Sequence, residues 1–432
     1  MKISIAISAL ILVSAAGLGW QIDGRLAAAR ADQKQLSTEA NRLGISVEDT
    51  HATRNTKILR IDHEAEARRL AIESIQLTKE SENGGKRDEA WQARNRDCFA
   101  RISALDASSL KILIAELLAS PELDGKKRAE QVAHPLRVTL ARKDPRAALA
   151  FVMEHSAALK KANDIEYVIS DSLGNWAKDD PLATVEWMKK NAAEFPAAMK
   201  AQSRGNVFRS TAEKDPRLAI TLIEGLGLNA SDSHSALHDI VTAAATDEQR
   251  NDTLAALREY REAHKDDKEA RQAADQMVGY FAWGFKKDGF DAGSKWLASA
   301  SLTPKELDRF CGELTLNYDG DEHAQWIEWI GGHTPPGKGD QQIINLIGGW
   351  TERDYEDAGK WLASAPEGPA KNAAIRGYAL TIYKHDRETA MRWIMTLPPD
   401  ERREKTLRFI LVSKLRDDPD AAAAFKKEHG IQ

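Results

Sequence analysis

The chain has 432 residues, with 61 Lys and Arg against 66 Asp and Glu and a formal net charge of −5 at pH 7. That length exceeds what one hydrophobic core normally serves, so several domains or a repeat array are implied, and the near balance of charge speaks against wholesale nucleic-acid binding. Cys98 and Cys311 are the only cysteines, too few and too far apart for a disulfide framework or a zinc spacing.

In chain order, Ile3 to Trp20 is an uncharged run of 18 residues after Lys2, just long enough to cross a bilayer core as a helix. Residues 1–20 therefore read as a signal anchor, or as a signal peptide cut near Ser14 to Gly17. The two-residue leader favours an N-in, C-out orientation, which places the bulk of the chain in the periplasm or an equivalent extracytoplasmic space. Over residues 21–80 two apolar sets recur at spacings of three and four, Ile22 to Val47 and then Ile58, Ile61, Ala65, Arg68, Ile72 and Ile75. These are coiled-coil seam positions. They predict a helical stalk, formed either as a parallel homodimer or by two helices folding back on each other. Residues 81–98, opening with SENGGK, read as a linker.

The rest of the chain, 99–432, is organised by a repeated unit whose clearest copy is WAKDDPLATVEWM, Trp176 to Met188. Asp180 before Pro181 is a helix N-cap followed by N1, because aspartate accepts free backbone N–H groups and proline has none to offer. Four residues on stands a small residue and seven on an aromatic, so one helix face must pack closely. The same template puts caps at Asp144, Asp180, Asp215, Gly289, Glu322, Asp354, Asp386 and Asp418, separated by 36, 35, 74, 33, 32, 32 and 32 residues. The interval of 74 hides a degenerate repeat, expected near Asp252 within residues 225–275, where GLGLNASDSHS reads as loop and the following charged stretch as one long helix. Only Trp326 stands where a small residue is due. Two helices per period of this size predict an all-α fold, an α-solenoid of about nine two-helix repeats. LKILIAELLASP, within a helical pair that begins near Cys98, is expected to form its N-terminal end.

The stretch DYEDAGKWL from Asp354, with Ala358, Ala365 and Pro369, resembles the turn and second helix of a tetratricopeptide (TPR) repeat. The likeness extends over roughly residues 105 to 430 as pattern and is specific only around Asp354; the Trp-Leu-Gly-Tyr spacing of that family's first helix is absent. What the resemblance implies is protein–protein interaction without a particular ligand.

No motif demands chemistry. GHTPPGKG, Gly332 to Gly339, matches the phosphate-loop spacing but has Gly339 where Ser or Thr should hold magnesium and follows a helix rather than a strand, so it reads as a turn. His234 and His238 share a helix face without a third ligand, and DGDEH, Asp319 to His323, lacks the spacing of a calcium loop. Neither a metal nor a cofactor is expected. Trp176, Trp187, Trp296, Trp329, Trp350, Trp361 and Trp393 occupy template positions and are expected in packing; Trp283 lies just before the template aromatic Phe285. Departures from a local rule are where function tends to show, which points to a partner-binding patch around Trp326, Asp319, Asp321, His323 and Lys338. The expectation is a membrane-tethered scaffold for protein partners, with no nucleic acid. Its rivals are a polysaccharide-active enzyme or glycan binder of the helical-toroid kind, with tryptophans and two carboxylates converging in a closed cavity, and a structural spacer.

Overall fold

Side-chain capping accounts for where most helices begin. In the computed structural model, which describes residues 51–82, 88–159, 165–316, 318–413 and 418–431, regular structure is entirely helical, with no strand among the described residues. The chain divides into two units, one ending at Pro135 and one beginning at Leu136.

The first unit holds α1 (His51–Glu82), α2 (Glu89–Ala104), α3 (Ala107–Ala119) and α4 (Gly125–His134). Asp88, Asp106 and Asp124 cap the last three by accepting backbone N–H groups of the first turn. α1 packs on α2 and α3, burying Ala67, Leu70, Ala71 and Ile75, with Cys98, Ile102, Leu110, Leu113 and Ile114 buried on the two helices it meets. Arg101 ties the surface together through Glu66 and, at 3.1 Å, Glu73.

Three observations bear on the expected stalk, linker and repeat boundaries. Within the first unit α1 buries Ala67, Leu70, Ala71 and, of the anticipated seam, Ile75, while Ile72 is 57% exposed. The span read as a linker is helical from Glu89. Residues 99–135, read as the start of the repeats, fall in the first unit. No helix among the described residues is long and apolar enough to cross a membrane; the run Ile3 to Trp20 and the seam from Ile22 to Val47 lie outside them.

In the second unit all eight template positions are helix N-caps. Asp144, Asp180, Asp215, Asp354, Asp386 and Asp418 open α5 (Pro145–Glu154), α7 (Pro181–Asn191), α9 (Pro216–Gly225), α17 (Tyr355–Ser364), α19 (Arg387–Thr396) and α21 (Pro419–His429), each accepting the N–H three residues on. Gly289 opens α13 (Phe290–Ala300) at φ 88°, a backbone that glycine tolerates best, and Glu322 opens α15 (His323–His333) without a side-chain bond. The hidden repeat begins elsewhere than expected: Thr246 and Gln249 form a reciprocal capping box at the start of α11 (Asp247–Ala263), which leaves Asp252 inside the helix. Nor is the preceding stretch a loop, because Asn229 caps α10 (Ala230–Thr242). The charged stretch is two helices, α11 and then α12 (Lys268–Asp288), with Asp267 as the cap between them.

The alternate helices α6 (Ile165–Ala177), α8 (Ala201–Ala212), α10, α12, α14 (Pro304–Thr315), α16 (Asp340–Arg353), α18 (Pro369–Ile382) and α20 (Glu401–Ser413) form a row in which each packs on the next. Glycine makes the contacts close. A Cβ at Gly279 of α12 would lie 2.6 Å from the Glu313 side chain and 3.1 Å from the Arg309 carbonyl of α14.

Candidate functional site

The anticipated patch does not assemble. Trp326 is fully buried, edge-on to Phe290 at 4.9 Å, and its ring tip lies 2.7 Å from where a Cβ on Gly293 would stand. The large residue at a small-residue position fits the smallest residue at the equivalent position one repeat earlier. His323 is buried too, stacked on Trp350 at 5.5 Å, with Arg353 Nη2 2.9 Å from its Nε2. Burial, reinforced by the Arg353 charge, pushes its pKa down to about 4, so the ring is neutral at pH 7. Asp319 and Asp321 are exposed in the turn before α15, where Arg353 also binds the carbonyl of Asp319 at 2.6 Å. Lys338 lies past the other end of α15, roughly 16 Å of helix away. It belongs to a turn closed by its own N–H on the Pro335 carbonyl at 2.9 Å, as expected of the Gly-Pro stretch.

A cluster of aromatic side chains around an exposed tryptophan lies instead on α10 and α12. His234 and His238 stand one turn apart on α10, and Gln276 and Tyr280 one turn apart on α12. Because these helices pack side by side in the same direction, the pairs meet in register: His234 Nε2 is 3.1 Å from Gln276 Oε1, and the His238 and Tyr280 rings meet edge-on at 4.7 Å. Trp283 completes the cluster, 4.9 Å from Tyr280 and 5.2 Å from His238. At 46% exposure it is the most exposed tryptophan among the described residues. Its Nε1 reaches Glu313 of α14 at 3.4 Å.

Electrostatics at this surface follow from partial burial. On one side Arg209 of α8 pairs with Asp239; burial still raises the Asp239 carboxyl above its ordinary range, and burial lowers His238, with Asp239 pulling the other way. One turn back along the same seam, the strip opens into a cleft of about 590 Å³ between the N-terminal ends of α10 and α12 and the C-terminal ends of α9 and α11. Glu224, His234, His264, Asp267, Glu269 and Gln276 line it, and no lysine or arginine does. Asp267 caps α12, and Glu224 lies 3.2 Å from His264 Nε2. No group of three or more His, Cys, Asp or Glu side chains placed to hold a metal occurs among the described residues.

The sequence did carry a trace of this site. It falls where the cap rule lapses, and Trp283 sits two residues out of step with the template aromatic Phe285. What the sequence lacked was the packing of α10, α12 and α14, which leaves the ring 46% exposed although Glu313 of α14 reaches its Nε1. Comparison with known proteins finds no matching family model, no matching curated protein and no matching solved structure.

Proposed function

We propose that this chain is a binding scaffold, a TPR-like α-solenoid of helix pairs held at a membrane by its N-terminal run, with the repeats on the extracytoplasmic side and a protein segment seated along α10 and α12. Stacked helix pairs make long continuous surfaces suited to that task. The observation that carries the reading is Trp283: an exposed tryptophan, flanked by His238 and Tyr280, on a row of helices whose other described tryptophans are more covered. Exposed aromatic clusters of this kind supply much of the energy of protein recognition.

The enzyme reading has less behind it. The cleft beside the cluster contains carboxylates, yet Asp267 serves as a helix cap and Glu224 faces His264, and none of its lining residues is a tryptophan. Paired acids free to act as acid and base, with aromatic walls for a sugar, are what that chemistry requires. A photoreactive side chain placed at Gln276 in the full-length chain, and in a second protein at the exposed Leu182 of α7, tests the proposal. Adducts with a protein partner at 276 and not at 182 are expected. Equal labelling at both positions, or none, contradicts it.

A further inference from the structure

We infer that the segment held along α10 and α12 presents lysine or arginine side chains. The inference rests on the binding reading above and adds the chemistry of the occupant. Helix N-termini attract negative charge, and at the cleft the chain has already supplied it. Asp267 and Glu269 stand at the start of α12, while Asp232 in the first turn of α10 is paired with Arg204 and does not line the cleft. Glu224 on the wall faces His264 and no lysine or arginine is among the lining residues, so the formal charge left for an occupant to meet is carboxylate, Glu269 foremost, set among glutamine, serine and tyrosine groups and two histidines. A second anionic partner would face charge of its own sign, whereas a cationic one would be drawn in.

The other end of the strip asks for the same chemistry. Tyr280 and Trp283 present aromatic surface, and a cation within about 6 Å of such a ring face is attracted by its quadrupole, most of all at tryptophan. Glu313 is held beside the Trp283 ring, where it adds a formal negative charge to the same spot. Of the chain's own cations nearby, Arg209 is paired with Asp239, whereas Lys286, bonded to the uncharged Leu316 carbonyl at 2.5 Å, keeps its charge and offsets part of that of Glu313. From Glu269 to Trp283 the helix rises roughly 21 Å at 1.5 Å per residue. An extended segment of about six residues spans that length, so its side chains can meet the carboxylates at one end and the rings at the other.

The test uses the full-length chain and three labelled peptides of equal length, with Lys and Arg, Glu, or Ser at the same positions of one Gly-Ser-Ala background, followed by fluorescence anisotropy. The Lys/Arg peptide is expected to bind, to weaken as salt rises, and to lose on the order of tenfold in affinity with Trp283→Ala, the magnitude of a lost cation–π contact. Glu269→Gln and Glu313→Gln are expected to cost a few-fold each, and Leu182→Ala nothing. All four positions are at least partly exposed, so an unchanged thermal melt separates lost binding from lost folding. If the Glu or Ser peptide binds in a Trp283-dependent way and the Lys/Arg peptide does not, the inference fails and the binding reading stands. If no peptide binds, or Lys/Arg binding is indifferent to Trp283 and to both glutamates, the inference fails; labelling at Gln276 then decides the binding reading separately.

Discussion

Two repeats depart from the small-residue rule, and they do so in opposite ways. In the repeat opened by Glu322 the intruder is Trp326, taken wholly into the interior because Gly293 leaves room for it. In the repeat opened by Thr246 the same position holds Arg250, whose side chain is equally buried but charged. Its guanidinium lies 4.1 Å from the Phe285 ring centroid and bridges Asp247 at 3.1 Å and Asp288 at 2.8 Å. An apolar misfit is absorbed as core and leaves no mark on the surface. A charged one needs partners, and here it draws carboxylates from α11 and from the far end of α12. The exposed aromatic cluster lies on α12, beside the second kind of departure and not the first.

Breaking the first region should have the larger effect on stability. Trp326→Ala is expected to cost about 3–5 kcal/mol in urea unfolding, the range for truncating a large buried aromatic. Gly293→Ala should cost about 1–3 kcal/mol through overpacking, and much less in a Trp326→Phe background. Additive losses would show that the two residues do not share one space.

The pH response of that region follows from His323. Its folded pKa of about 4 lies below the ordinary 6.5, so below pH 6.5 the unfolded chain takes up a proton that the folded chain refuses. The stability this ring allows is full above pH 6.5 and declines toward pH 4, by at most about 3 kcal/mol. His323→Phe should flatten that part of the stability profile, whatever it does to stability at pH 8.

In the second region Arg250→Ala is expected to cost about 1.5–3 kcal/mol, the scale of hydrogen bonds to a charged group. Asp247 and Asp288 are each more than two-fifths exposed, so water rehydrates them and the penalty stays below that of stranding a buried charge. Smallest is the cap. Thr246→Ala should lower stability by about 1 kcal/mol, while Asp252→Ala should change it by less than about 0.5 kcal/mol. A reversal of the two would return the cap to the position that the spacing suggested.

The comparison also shows why part of the fold was legible and the rest was not. Capping is local: an aspartate reads its own helix through an N–H three residues away, so the six aspartate caps could be found from the sequence, and their period placed Gly289 and Glu322. Thr246 was equally local, since T-D-E-Q is a capping-box spelling, but halving the 74-residue interval points to Asp252 instead. Burial is different. Whether Trp326 faces water depends on Gly293 a whole repeat earlier, and whether Trp283 does depends on how α10, α12 and α14 pack. Ile72 and Leu70 of α1 are both apolar, and only the helices packed around them decide which one is covered.

The central claim is that partners are bound on the face shared by α10 and α12. Hydrogen exchange of the full-length chain, alone and with the partner recovered by crosslinking at Gln276, tests it most directly. The account predicts added protection along Ser231–Thr242 and Gln272–Lys287. Protection confined to α7, α13 and α17, with α10 and α12 unchanged, would contradict it.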